Sequence, residues 1–125
     1  MLRYFNYEEF DSPDEIGSGL PTSDGGKMSL DFLQKLDEAR HIAKTPFKIT
    51  SGYRTKEHNA KVGGRVGSSH LKGVAVDIYC GNSAERSKIL NGLFAAGLGR
   101  RVGIAKNFIH VDTDYNKPAA IWLYQ

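Results

Sequence analysis

The sequence predicts an α+β domain: a small, mainly antiparallel sheet packed with two longer helices. Three observations predict it. Phe32, Leu33, Leu36, Ala39 and Ala43 recur at helical spacing, and a second helical pattern follows Asn82. Several short alternating runs, such as Val74–Tyr79 and Phe108–Thr113, have the two-residue period of strands. Short turns between the late strands imply hairpin connections, which make neighbouring strands antiparallel.

The elements follow in order. Residues 1–28 mix the aromatics Tyr4, Phe5, Tyr7 and Phe10 with acids, then Pro13, Pro21 and a Gly/Ser/Asp-rich run. This reads as an N-terminal extended arm that packs its aromatics on the body, with a turn at Asp24-Gly25-Gly26. Residues 29–125 form the domain proper. Ser29 is a natural N-cap, and the first helix ends near Lys44 because Pro46 follows. Lys35, Asp37 and Arg40 are expected to face outward, with His41 on the same polar side. Phe47–Thr50 reads as a strand that delivers Arg54 at its end. Thr55 then caps a short helix through Lys61, with His58 on its surface. Gly63–Ser69 is a glycine-rich loop. It lacks the Gly-Lys-Ser/Thr ending and the strand-to-helix setting of a nucleotide-binding loop.

Val74–Tyr79 is the next strand. Asn82-Ser83-Ala84-Glu85 has the form of a capping box, with Asn in place of Ser or Thr. The helix it opens runs to about Ala96 and should bury Ile89, Leu90, Leu93 and Phe94; Gly97 stops it. Arg101–Ala105 and Phe108–Thr113 form a hairpin about Lys106-Asn107, and Pro118 breaks the chain before a last strand, Ala120–Tyr124.

The composition narrows the function. A chain of 125 residues with 40% hydrophobic residues can bury one core, and no apolar run is long enough to span a bilayer. Cys80 is the single cysteine, so no intramolecular disulfide forms, and it reads as a small buried hydrophobe. The net charge of +3 is mild. With no clustered basic face and no stacking-aromatic platform, nucleic acid is not an expected partner. The first nine residues are polar and acidic and lack the apolar core of a signal peptide, so no export address is expected.

Chemistry concentrates in two strands. Asp77 lies in mid-strand, where a carboxylate is disfavoured without a partner, and His70 precedes that strand in a loop able to fold back over it. His110 is carried by the Phe108–Thr113 strand, on the face it shares with Phe108 and Asp112. Together His70, Asp77 and His110 suit a single zinc ion. Three protein ligands leave a fourth position open, as in catalytic sites.

His70-Leu71-Lys72-Gly73-Val74-Ala75-Val76-Asp77 resembles the His-x-x-Gly-x-Ala-x-Asp signature of the zinc D-Ala-D-Ala carboxypeptidases. That group shares a superfamily with lysostaphin-type peptidases and the hedgehog signalling domain. Ser51-Gly52-Tyr53-Arg54-Thr55 is similar to the family's Ser-Gly-Tyr-Arg segment. Val102-Gly103-Ile104 and Phe108–Asp112 are similar to its last strands, with the third zinc ligand on His110. The likeness runs from about Lys48 to Trp122 and is nearest to small single-domain members of bacteria and phages.

The resemblance implies a hedgehog/D-Ala-D-Ala-peptidase-like fold, a zinc peptidase domain over 29–125, and hydrolysis of amide bonds in peptidoglycan peptides. Either a carboxypeptidase or a cross-bridge endopeptidase fits, acting as a monomer on the cell wall. Without an export address, a phage-type lysis enzyme is the expected setting. By resemblance Arg54 lines the cleft and either clamps a peptide carboxylate or stabilises an oxyanion. Tyr53 and Ser69 are expected to add hydrogen bonds, and Arg65 to stand at the rim near the substrate. Many relatives carry a carboxylate three residues before the last histidine ligand; here that position is Asn107, which cannot act as a base. Asp112 is the candidate base, and orientation of a histidine ligand is the other role open to it. The Asn107 departure also leaves room for a non-catalytic, zinc-containing binding or structural module.

Overall fold

A computed structural model describes residues 2–125. Its elements are α1 (Leu30–Ala43), β1 (Ile49–Ser51), α2 (Lys56–Lys61), β2 (Ala75–Tyr79), α3 (Ser83–Ala95), β3 (Arg101–Ile104), β4 (Phe108–Asp112) and β5 (Ala120–Leu123). Single 3-10 turns occur at Tyr7–Phe10, Thr22–Asp24 and Ser69–Lys72. The architecture is α+β. The strands form one sheet in the order β1-β2-β4-β3-β5, antiparallel throughout except for β5, which runs parallel to β3.

The helices begin where local chemistry says they should. The Ser29 hydroxyl accepts the Phe32 N–H, Thr55 accepts from His58, and the Asn82 side chain accepts from Glu85. The long helices α1 and α3 cover one face of the sheet. Phe32, Leu33 and Leu36 of α1 and Ile89 and Leu93 of α3 meet Val76, Ile78, Val102, Ile109 and Val111 in a single core. Leu2, Phe5, Phe10 and Met28 of the first 28 residues join that same core. The opposite face of the sheet stays open.

Three local expectations are corrected. Asp37 does not face outward. It is only 6% exposed, and its carboxylate accepts the backbone N–H groups of Arg3 and Tyr4, each at 3.0 Å. These part-buried donors, at the edge of the N-terminal segment, would otherwise lack a protein partner. Phe94 is 45% exposed, because Ile89 and Leu93 set the buried stripe of α3 and the next position turns about 100° away from it. Phe47 is not part of the first strand. It sinks into the core, and pairing begins at Ile49.

Register gives the open face its order. Ser51 pairs with Asp77, Asp77 with His110, His110 with Gly103, and Gly103 with Trp122. One row of residues therefore crosses all five strands, and directly paired residues project from the same face.

Candidate metal centre

The row places Asp77 and His110 side by side on the open face. His70 comes from the Ser69–Lys72 turn above them. The Ser68 hydroxyl caps this turn by accepting the His70 N–H at 3.2 Å, and Gly73 ends it at φ 71°. A side chain at Gly73 would meet both that left-handed backbone and the Lys27 carbonyl. The chain can thus reverse sharply after His70 and enter β2.

The three side chains converge. Asp77 Oδ1 lies 3.0 Å from His110 Nδ1 and 3.4 Å from His70 Nε2. One donor atom from each residue lies within 4.8 Å of the other two, so the cluster could hold a metal ion. The donor chemistry fits a divalent ion of borderline softness. Each imidazole is also fixed from behind. His70 Nδ1 donates to the Gly52 carbonyl at 2.8 Å, which leaves Nε2 for the cluster. His110 Nε2 faces Asp112 Oδ2 at 2.7 Å, which turns Nδ1 toward Asp77. Outer partners of this kind set tautomer and ring orientation in metal sites.

The carboxylates and imidazoles are also coupled electrostatically. Burial alone would raise the Asp77 pKa, but hydrogen bonds from His110 and His70 outweigh it and hold the carboxyl well below the usual range. Burial would lower the His110 pKa, yet Asp112 and Asp77 on its two sides raise it. Asp112 is held low against burial by His110, the Asp114 N–H and Arg101.

The cluster forms the floor of an open cleft of about 970 Å³. Arg54 stands beside it with Nη2 3.6 Å from Asp77 Oδ2, steadied by Ser51 Oγ at 3.0 Å and Asn59 Oδ1 at 3.2 Å. Arg65 lies exposed on the rim. On the other side Trp122 approaches His110 with ring centroids 5.5 Å apart, and the Arg101 guanidinium lies 4.9 Å over the indole. Gly103 is what allows this. A Cβ there would come within 2.6 Å of Trp122 and Tyr124, so the aromatic shelf lies directly on the backbone of β3.

Two residues expected to contact substrate are engaged elsewhere. Ser69 is buried at the cleft wall, where its hydroxyl donates to Asp114 at 2.8 Å and accepts from Lys117 at 3.0 Å. Tyr53 packs half-buried against the core and is not among the residues lining the cleft. Asp112 is 1% exposed, and both its oxygens are used: Oδ1 by Arg101 Nε at 2.8 Å and the Asp114 N–H at 3.0 Å, Oδ2 by His110. Sequence reasoning missed Asn59, Arg101, Asp114 and Lys117. Only Asn59 had a usable local signal, an amide on the inner side of the short helix that follows Arg54.

A search of curated proteins finds no match to the chain. The family model described as Peptidase M15 matches residues 3–112, a span that includes His70, Asp77 and His110. The match covers most of the chain and agrees with the convergent His-Asp-His cluster, and on this evidence the chain belongs to the peptidase M15 family, the zinc D-Ala-D-Ala carboxypeptidase-like peptidases.

Proposed function

We propose that the chain is a zinc-dependent peptidase that hydrolyses amide bonds in peptidoglycan stem peptides or cross-links. The observation that carries this reading is the pair of imidazoles, each held from behind so that its free nitrogen meets Asp77 on the floor of an open cleft. A zinc ion held by His70, Asp77 and His110 supplies Lewis acidity at a peptide carbonyl and a lowered water pKa. Arg54 is the residue placed to meet negative charge there. Its fork is anchored by Ser51 and Asn59, and Nη2 points to the cluster, suited to a peptide carboxylate or a developing oxyanion. Arg65 and the Trp122–Tyr124 shelf both line the cleft and are proposed to align an extended peptide. Asp112 is proposed to orient His110 rather than to take a proton from water, since its oxygens are already occupied and it is shut off from solvent. Such a substrate puts the site of action at the cell wall, and a lysis role in the phage manner is part of this proposal.

One observation favours a second reading, a non-catalytic metal-containing module that binds wall peptides. Among the described residues, Asp77 and Asp112 are the only side-chain carboxylates lining the cleft, and both are engaged. Digestion of purified muropeptides by zinc-loaded protein, read by mass spectrometry against a chelated control, tests both. Loss of one alanine indicates a carboxypeptidase, and a cut within the stem or bridge indicates an endopeptidase. Zinc-loaded protein that leaves every muropeptide intact refutes the peptidase and favours the binding module.

A further inference from the structure

We infer that Asp114 is a positioning residue for the metal centre: a buried clamp that locks the His70 turn to the strand carrying His110. The inference rests on the metal-site reading above and adds a residue to it.

Asp114 lies just beyond the end of β4 and is 3% exposed. A buried carboxylate is stable only when its oxygens are paired. Here the partners are specific. Ser69 Oγ donates to Oδ2 at 2.8 Å, and Lys72 Nζ reaches both oxygens, at 2.9 and 3.1 Å. Ser69 and Lys72 are the two ends of the 3-10 turn that holds His70. On its other side, the Asp114 N–H donates to Asp112 Oδ1 at 3.0 Å, and Asp112 Oδ2 in turn holds His110. A continuous path thus runs from the His70 turn through Asp114 and Asp112 to His110. It is separate from the direct meeting of the two histidines at Asp77.

The path has a mechanical consequence. If the turn moved away, Asp114 would lose the Lys72 cation and the Ser69 hydroxyl and keep only the Asn116 N–H at 3.2 Å and Lys117 at 3.7 Å, so displacement is costly. Lys117 reinforces the same wall by donating to the Gly67 carbonyl at 2.7 Å and to Ser69 Oγ at 3.0 Å. Asp114 touches neither the cluster nor the open cleft. It acts on the spacing between the two histidines, not on a substrate.

The test measures zinc affinity by competition with a chromophoric chelator, alongside the thermal melt of the metal-free protein. The unaltered chain and His110→Ala come first. An unaltered chain that binds no zinc overturns the metal site and this inference together. Given binding, Asp114→Asn should weaken zinc, by less than the about 10- to 100-fold that losing a direct partner of a ligand costs. Ser69→Ala should weaken it in the same direction, and the Ser69→Ala/Asp114→Asn pair should lose no more than Asp114→Asn alone. Lys72→Arg, which keeps the cation, should stay close to the unaltered affinity, whereas Lys72→Met should not. A folded Asp114→Asn protein with a lower melting temperature but unaltered zinc affinity overturns the clamp and leaves the metal site standing. Should Asp114→Asn fail to fold, Ser69→Ala and Lys72→Met decide: unaltered zinc affinity in both overturns the clamp, and weakening in both sustains it.

Discussion

Asp112→Asn separates the two roles open to that residue. The substitution keeps the shape and removes one acceptor. The native carboxylate serves three donors, Arg101 Nε, the Asp114 N–H and His110 Nε2. An amide has one oxygen for them. If the oxygen faces Arg101 and Asp114, the NH2 group faces His110 Nε2, which must then accept. The imidazole proton moves to Nδ1, the nitrogen turned toward Asp77. If the oxygen faces His110, the NH2 group confronts two buried donors, each costing about 1–3 kcal/mol when left unpaired. Either arrangement penalises the metal-ready tautomer. The expected loss of zinc affinity is about 10- to 100-fold, or roughly 1.4–2.7 kcal/mol at about 1.36 kcal/mol per decade. Chelator competition measures it directly. A base would behave differently: zinc affinity would stay unchanged while turnover fell by about 10²–10⁴. Zinc affinity within twofold of the unaltered protein refutes the orienting role.

Three other perturbations have definite outcomes. Gly103→Ala should push Trp122 and Tyr124 off β3 at a cost of about 1–3 kcal/mol and shift the emission of Trp122, the chain's single tryptophan; an unchanged spectrum and melting temperature would show that the shelf does not rest on that backbone. Asp37→Ala should cost about 1–3 kcal/mol by leaving two part-buried N–H groups unpaired, and should open the segment near Arg3 and Tyr4 to proteolysis; unaltered resistance would refute it. Asp114 has its pKa lowered from 3.8 to about 2, since Lys72, Ser69 and the Asn116 N–H outweigh the raising effect of burial. A lowered folded-state pKa stabilises fully above the unfolded value, near pH 4, and the stabilisation fades as pH falls toward 2. The stability gap between the unaltered protein and Asp114→Asn should therefore shrink from pH 4 to pH 2, by at most about 2 kcal/mol because the half-exposed Lys72 is screened; a gap constant with pH would contradict this.

The fold class was legible because its signals are local. Ser29, Thr55 and Asn82 announce helix starts within three residues of the groups they cap, and alternation in β2 and β4 marks both central strands. The convergence of His70, Asp77 and His110 was legible because each sits in a distinctive local pattern. What stayed hidden depends on distant partners. Asp37 looks like any outward helix acid until Arg3 and Tyr4 are seen against it, 34 and 33 residues away. Ser69 reads as a free hydroxyl in a glycine-rich loop, but its partner Asp114 is 45 residues on. The parallel pairing of β5 beside β3, which brings Trp122 over Gly103, follows from tertiary packing rather than from Pro118 or the alternation of residues 120–124.

The strand order has a consequence for how the protein is made. The centre of the sheet, β4, is fourth of the five strands in the chain. During synthesis β1 and β2 appear first, but β3 has only β4 and β5 as neighbours and waits for them. Joining β4 to β2 closes a loop that contains all of α3, and such distant pairings are made late and slowly. Three of the five strands therefore join the sheet only after residue 108 is available. His110 arrives on the central strand of this assembly, so the donor cluster can form only once β4 has joined β2.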